Sequence, residues 1–235
     1  AVFRDEGHVR FVLEEVAKSL CSELPQERQR MAALAPTLGL NAGIVDAVHG
    51  DSEDLMRLAA LKKSWILSEL VRVARADPSE HAVSAMIATV AVLREGWFPE
   101  DFAAALCAQN GSGTIKTDAF VPVGWRDTEG EQMVATSRKI KKGFQAYLST
   151  AWLSLLVSLV PGIRVKAASI AEDLGMALAI RDAVRGERSD FERLGELGDS
   201  RFVGSLQSLA LKAPRDTSEA AAKGLVAYCH SGKVP

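Results

Sequence analysis

The chain has few of the residues that build the commonest specialised sites. Its 235 residues include only three cysteines, Cys21, Cys107 and Cys229. Because no two of them form a Cys-x-x-Cys pair, zinc ribbons and thioredoxin-like sites are excluded. The four histidines make no His-Glu-x-x-His motif or other helical metal pair. We therefore expect no metal and no cofactor, and we interpret the cysteines as free thiols in a reducing compartment.

Motifs for phosphate binding and nucleophilic catalysis are also missing. The segment from Asn110 to Thr117 has the glycines of a P-loop, but Ile115 precedes Lys116 where that motif needs glycine. The sequence contains neither a dinucleotide fingerprint nor a Gly-x-Ser-x-Gly nucleophile elbow. These absences favour a protein that is not an enzyme.

Long hydrophobic runs are nearly absent, and one segment alone raises the question of a membrane. Residues 143–163 carry no charge and are flanked by basic residues, and this length is enough to span a bilayer. Five polar residues and Pro161 interrupt the stretch, so we interpret it as a buried core helix. No basic region followed by an apolar run precedes the first helix, so we expect a cytoplasmic or virion-associated protein that is not secreted.

The hydrophobic pattern is helical along most of the chain. Apolar residues recur at intervals of three and four, as Val9, Val12 and Val16 do before Pro25. The pattern predicts an all-α fold of nine or ten helices in a compact arrangement, with division into two lobes left open. Around 110–130 the helical period is lost among glycines and prolines, which predicts a long loop or a small hairpin. No internal repeat of fixed period is predicted.

Four segments follow from this pattern. Residues 1–24 form an N-terminal helix that we interpret as an exchangeable arm, and residues 25–109 form an acidic helical lobe. Residues 110–130 connect this lobe to a second helical lobe at 131–235. In the second lobe we predict one helix over 131–160 and, after the break at Pro161–Gly162, another over 165–184.

Charge is distributed unevenly although the total is only −2. Residues 1–137 hold 13 Lys or Arg and 20 Asp or Glu, a net charge of −7. Residues 138–185, which we call the basic block, hold 8 Lys or Arg and 3 Asp or Glu, a net charge of +5. Opposite charges in two parts of one chain favour head-to-tail association between copies.

The positions of these cations suggest a binding surface for phosphates. If the helices over 131–160 and 165–184 pack antiparallel, the cations at the start of the first helix lie close to those at the end of the second helix. Such clusters bind phosphate backbones because each neutralised phosphate releases counterions. Aromatic side chains close by in the sequence can stack on bases. The predicted phosphate-binding residues are Arg138, Lys139, Lys141, Lys142, Arg164, Lys166, Arg181 and Arg185, and the predicted stacking residues are Tyr147, Trp125 and Phe120.

The leading hypothesis from sequence is a self-associating protein that binds single-stranded nucleic acid, most readily RNA, as a nucleocapsid or coat protein does. A second hypothesis is a helical adaptor or regulatory domain that binds another protein. A third is a helical enzyme or small-ligand binder with a pocket beside Trp152. Solvated lysines and arginines at helix ends are an ordinary alternative reading of the basic block.

Overall fold

The computed structural model describes residues 6–76, 78–95 and 148–232, and the side chains from Phe11 onward. Within these ranges the protein is all-helical and has no strand, which confirms the predicted fold class. Twelve α-helices are present there, slightly more than the nine or ten predicted. In chain order they are α1 Glu6–Leu20, α2 Pro25–Leu34, α3 Gly43–Ala47, α4 Asp54–Ala60, α5 Ser64–Ala74, α6 Glu80–Arg94, α7 at 148–156, α8 Pro161–Ser169, α9 Ala179–Ala183, α10 Asp190–Glu196, α11 Val203–Lys212 and α12 Arg215–His230.

The described helices group into two compact units. The first unit contains 6–73 and 91–95, and the second contains 74–90 and 148–232. In the first unit α1 packs against α2, and its buried face carries Val16 and Leu20. In the second unit α12 packs against both α10 and α11. The predicted exchange of residues 1–24 between copies stays a prediction, and the predicted loop at 110–130 lies outside the described residues.

The two units contain two copies of the same helical module, related by a constant shift of 136 residues. Between 20–61 and 156–197 the alignment has no gap, and 17 of the 42 positions hold the same residue. Helices α3 and α4 correspond to α9 and α10 with the same lengths and the same shift. The shared residues, numbered in the first copy, are Leu20, Ser22, Pro25, Arg28, Ala32, Ala35, Leu38, Gly39, Ile44, Asp46, Ala47, Val48, Gly50, Asp54, Arg57, Leu58 and Leu61.

The backbone repeats along with the sequence. Pro25 and Pro161 each open a helix at its first turn, where the missing N–H is not needed. The residues before them are extended, with φ and ψ of −81° and 114° at Leu24 and −86° and 117° at Val160. Gly39 and Gly175 have left-handed φ values of 73° and 70°. The prediction of no internal repeat is therefore wrong.

Two predicted helix boundaries in the second copy are also wrong. The helix predicted over 131–160 ends at 156, and a turn at 157–160 separates α7 from α8. The helix predicted over 165–184 is two helices, α8 and α9, with a break between them. The break contains Gly175, whose left-handed backbone ends a helix in the same way as Gly39 does in the first copy. Hydrophobic periodicity continued through this break and concealed it.

Candidate functional site

The most highly connected polar cluster of the first copy surrounds the buried guanidinium of Arg28. Its Nε donates to Oδ2 of Asp54 at 2.8 Å. Its Nη1 donates to the carbonyls of Ser22 at 2.9 Å and Glu23 at 3.2 Å, and its Nη2 donates to the carbonyl of Asp51 at 2.9 Å. Arg28 thus joins the end of α1, the start of α2 and the turn before α4.

The Asp54 carboxylate lies at the centre of this cluster and is fully buried. It accepts the backbone N–H of His49 at 2.8 Å and that of Gly50 at 3.0 Å. It also accepts Nη2 of Arg57 at 2.6 Å, while Nε of Arg57 donates to the carbonyl of Ala47 at 2.9 Å. We call Arg28, Asp54 and Arg57, with the equivalent residues of the second copy, the arginine–aspartate network.

The second copy contains the same network at positions shifted by 136. Nε of Arg164 donates to Oδ2 of Asp190 at 2.9 Å, and Nη1 and Nη2 donate to the carbonyls of Ser158 and Glu187, each at 2.9 Å. Arg193 binds Oδ1 of Asp190 and the carbonyl of Ala183, as Arg57 binds Asp54 and Ala47. Each acceptor has its counterpart in the first copy.

The aspartate of the second network is held by the backbone as well. Asp190 accepts the N–H groups of Arg185 at 2.9 Å, Gly186 at 3.0 Å and Glu187 at 3.0 Å. The guanidinium of Arg164 also lies 5.1 Å from the centroid of the Phe191 ring, a cation–π contact. In the first copy Leu55 stands at the equivalent position, so this contact is specific to the second copy.

Chemically, the network holds loops in place. In the described residues every buried side-chain nitrogen or oxygen has a hydrogen-bond partner. The N–H donors of Arg28 and Arg164 are therefore already bound to acceptors of the protein. A buried pair of this kind stabilises a structure only while both partners are present, because either charge alone remains buried and unpaired. We interpret the network as the structural device that defines the module.

The pKa values of both aspartates lie below the ordinary value. Burial alone raises the pKa of Asp54, but hydrogen bonds from Arg28, the His49 backbone and Arg57 outweigh burial. Burial likewise raises the pKa of Asp190, and hydrogen bonds from the Arg185 backbone and Arg164 lower it further than burial raises it. Both carboxyl groups are therefore ionised at neutral pH.

Acid should unfold the protein through these two groups. A carboxyl whose pKa is lower in the folded state stabilises the fold fully above its unfolded pKa of about 3.9, and this stabilisation disappears as pH falls through the folded pKa. We expect their contribution to the free energy of unfolding to be constant from about pH 7 to about pH 5 and to decrease below about pH 4. Urea unfolding followed by circular dichroism at constant ionic strength measures it. A contribution from Asp54 and Asp190 that already decreases between pH 7 and pH 5 would contradict these shifts.

The predicted phosphate-binding residues that the structure describes differ in exposure and in their partners. Arg164 is 3% exposed and belongs to the network, so its guanidinium has no access to a phosphate. Lys166 is half-exposed and its Nζ pairs with the carboxylate of Glu80. Arg181 and Arg185 are exposed on and just after α9. We therefore withdraw Arg164 from the predicted surface, whereas Lys166 stays accessible beside Glu80.

The proposed convergence of cations depended on one helix over 165–184, and that helix is broken. The remaining predicted residues lie outside the described ranges, so their placement stays a prediction. They are Arg138, Lys139, Lys141 and Lys142 for phosphate, and Phe120, Trp125 and Tyr147 for base stacking.

Sequence reasoning missed the network itself. A signal was present: an arginine, then an aspartate 26 residues later, then a second arginine three residues after it, in both copies. A search for repeats of 20 to 50 residues does not find it, because the copies are 136 residues apart. The indole of Trp152 is buried, and its Nε1 donates to the carbonyl of Ala167 at 2.6 Å, while the pocket predicted beside it stays a prediction.

The described residues contain no group of histidine, cysteine and acidic side chains placed to hold a metal ion. Over the same ranges, no helix combines the length and apolar character needed to cross a membrane. No protein-family model matches the chain, and comparisons with curated proteins and with solved structures give no match either. The internal duplication is therefore the main guide to function.

Proposed function

We propose that the chain is a non-enzymatic helical adaptor, in which two copies of one module present different surfaces to protein partners. The two copies share their buried polar network and much of their core, whereas many exposed positions differ. Duplication followed by divergence of the surface can give a binding scaffold, since the fold is retained while the contacts change.

One surface difference carries this proposal. Around the start of α8 the second copy exposes Leu159, Val160 and Val165, which are 52%, 46% and 42% exposed. At the positions of Leu159 and Val165 the first copy has Glu23 and Gln29, which are polar. A cluster of exposed apolar side chains costs solubility, and such clusters commonly mark protein-binding sites. At the position of Val160 the first copy exposes Leu24, so it has one exposed apolar side chain where the second copy has three, and the apolar surface is larger in the second copy.

The first copy supplies the variant that tests the proposal. In Leu159→Glu with Val165→Gln, each residue takes the identity that the same backbone position has in the first copy, so the fold should be retained. We expect affinity capture with the nuclease-treated wild-type protein to retain specific proteins that the variant does not retain. Equal retention by both proteins, with circular dichroism showing both folded, would reject this surface as the binding site.

Single-stranded nucleic acid is the second candidate partner. The observations that favour it are the exposure of Arg181 and Arg185, and the four cations at 138–142. A nucleocapsid-like or coat-like role requires nucleic acid to co-purify with a large assembly, and binding to weaken as salt rises. The ratio of absorbance at 260 and 280 nm, measured with the elution volume, tests this candidate. A protein-like ratio at the volume of a monomer would reject it.

A further inference from the structure

The second copy has an open groove between α10 and α12. Its volume is about 550 Å³, and its floor contains Ala222 and Val226. Val226 is 53% exposed. The walls carry the carboxylates of Glu192, Glu196 and Glu219. We call this feature the acidic groove.

The groove has a net negative charge. Lys223 is the lysine among its lining residues, and its Nζ lies 3.6 Å from Glu219, with both side chains more than half exposed. Such exposed pairs contribute little free energy and are screened by salt. An apolar floor with carboxylates on the walls is complementary to an amphipathic helix whose polar side is basic.

The helix at the equivalent sequence position, 136 residues earlier, differs in exposure on this face. The helix equivalent to α12 is α6, and the residues equivalent to Glu219, Ala222 and Val226 are Val83, Met86 and Val90. Val83 and Met86 are fully buried and Val90 is 2% exposed. The corresponding face of α12 is exposed to solvent. The face of α6 is therefore covered, although residues 74–90 group with the second unit, and the equivalent face of α12 is open.

The chain itself contains a segment with the complementary chemistry. Residues 138–142 contain four cations among five residues, the highest density of positive charge in the sequence. At helical spacing Ile140, Phe144 and Tyr147 share the opposite side, which gives an apolar stripe beside the basic one. We call 138–147 the basic segment; it lies outside the described residues.

We propose that the acidic groove of one chain binds the basic segment of a second copy. Each chain then has one groove and one segment, so the contact is head-to-tail and allows chains of molecules to grow. The glutamates attract the cations, and Ala222 and Val226 receive the apolar stripe. This inference concerns self-association and does not depend on the adaptor function proposed above.

Sedimentation equilibrium of the nuclease-treated full chain tests the contact through charge reversal. We expect the wild-type protein to associate as its concentration rises, and less at high salt. Glu192→Lys with Glu196→Lys, and separately Lys141→Glu with Lys142→Glu, should each give a monomer. Glu172→Lys with Asp182→Lys makes the same change of charge at exposed positions outside the groove, and should associate as the wild type does.

Recombination of the two variants and binding of a peptide are two further tests of the contact. A mixture of the groove variant and the segment variant should associate again, because the intact groove meets the intact segment and the two reversed surfaces are also opposite in charge. A labelled peptide of residues 136–150 should bind the wild-type protein and bind the groove variant at least roughly tenfold more weakly. A wild-type protein that stays monomeric, or a peptide that binds both proteins equally, would overturn the proposal.

Discussion

Replacement of Asp54 or Asp190 by alanine should lower the free energy of unfolding by about 3–5 kcal/mol for each substitution. Each change removes a fully buried carboxylate and leaves a buried guanidinium, Arg28 or Arg164, without its charge partner. Two or three backbone N–H groups in the adjoining loop also lose their acceptor. Unfolding in urea, followed by circular dichroism, measures the effect.

The duplication provides a matched control for this prediction. Asp46 and Asp182 are also identical in the two copies, but both are exposed. Their replacement by alanine should change stability by no more than about 0.5 kcal/mol, as is usual at the surface. If replacement of the buried aspartates lowered the free energy of unfolding no more than replacement of the exposed ones, the network would not explain why Asp54 and Asp190 are identical in the two copies.

Replacement of Gly195 or Gly224 by alanine should also destabilise the second copy strongly. A Cβ at Gly195 would lie 1.9 Å from the carbonyl oxygen of Gly224, and a Cβ at Gly224 would lie 2.3 Å from that of Phe191. Backbone atoms cannot rotate aside as a side chain can, so α10 and α12 would have to separate. We expect a loss of about 1–3 kcal/mol or more, measured by thermal and urea unfolding.

Gly204 is the control for these two positions. It lies in α11, and nothing is within 4 Å of the Cβ that alanine would add. Alanine is intrinsically favoured over glycine in a helix, so Gly204→Ala should be neutral or stabilising by up to about 1 kcal/mol. Destabilisation of equal size at all three positions would show that close contact between the two helices is not the cause.

The same glycine pair explains one difference between the copies. The first copy has Ala59 and Ala88 at the positions of Gly195 and Gly224. Two Cβ atoms exclude the close approach seen between α10 and α12, so the last helix of the first copy cannot pack on α4 in the same way. In agreement, residues 74–90 group with the second unit and not with the rest of the first copy.

The sequence was sufficient to predict the fold class and many helix boundaries. Pro25 opens α2 at the boundary that the local pattern indicates, because the backbone constraints of proline act locally. The break at Gly175 was missed because apolar residues on both sides, such as Ile170 and Leu178, continue the helical spacing through a segment that is not helical.

The network could not be predicted from local pattern. Arg28 and Asp54 are 26 residues apart, and nothing near either residue shows that it is buried. Arg164 is an example. Its position in the sequence predicted a solvated cation on a phosphate-binding surface, but its side chain is buried and paired with Asp190. Only alignment of the chain with itself shows that each buried charge recurs with its partner.

Two copies of one module are each held together by an equivalent buried aspartate, Asp54 in the first copy and Asp190 in the second. Native-state amide exchange, measured by NMR on ¹⁵N-labelled protein, tests it most directly at Gly50 and Gly186. Both are half-buried in the bends that precede α4 and α10, and their N–H groups donate to Asp54 and Asp190 at 3.0 Å. The structure predicts slow exchange at both glycines, and fast exchange at the glycine beside the substituted aspartate in Asp54→Ala and Asp190→Ala. Fast exchange at either glycine in the wild-type protein would contradict the claim.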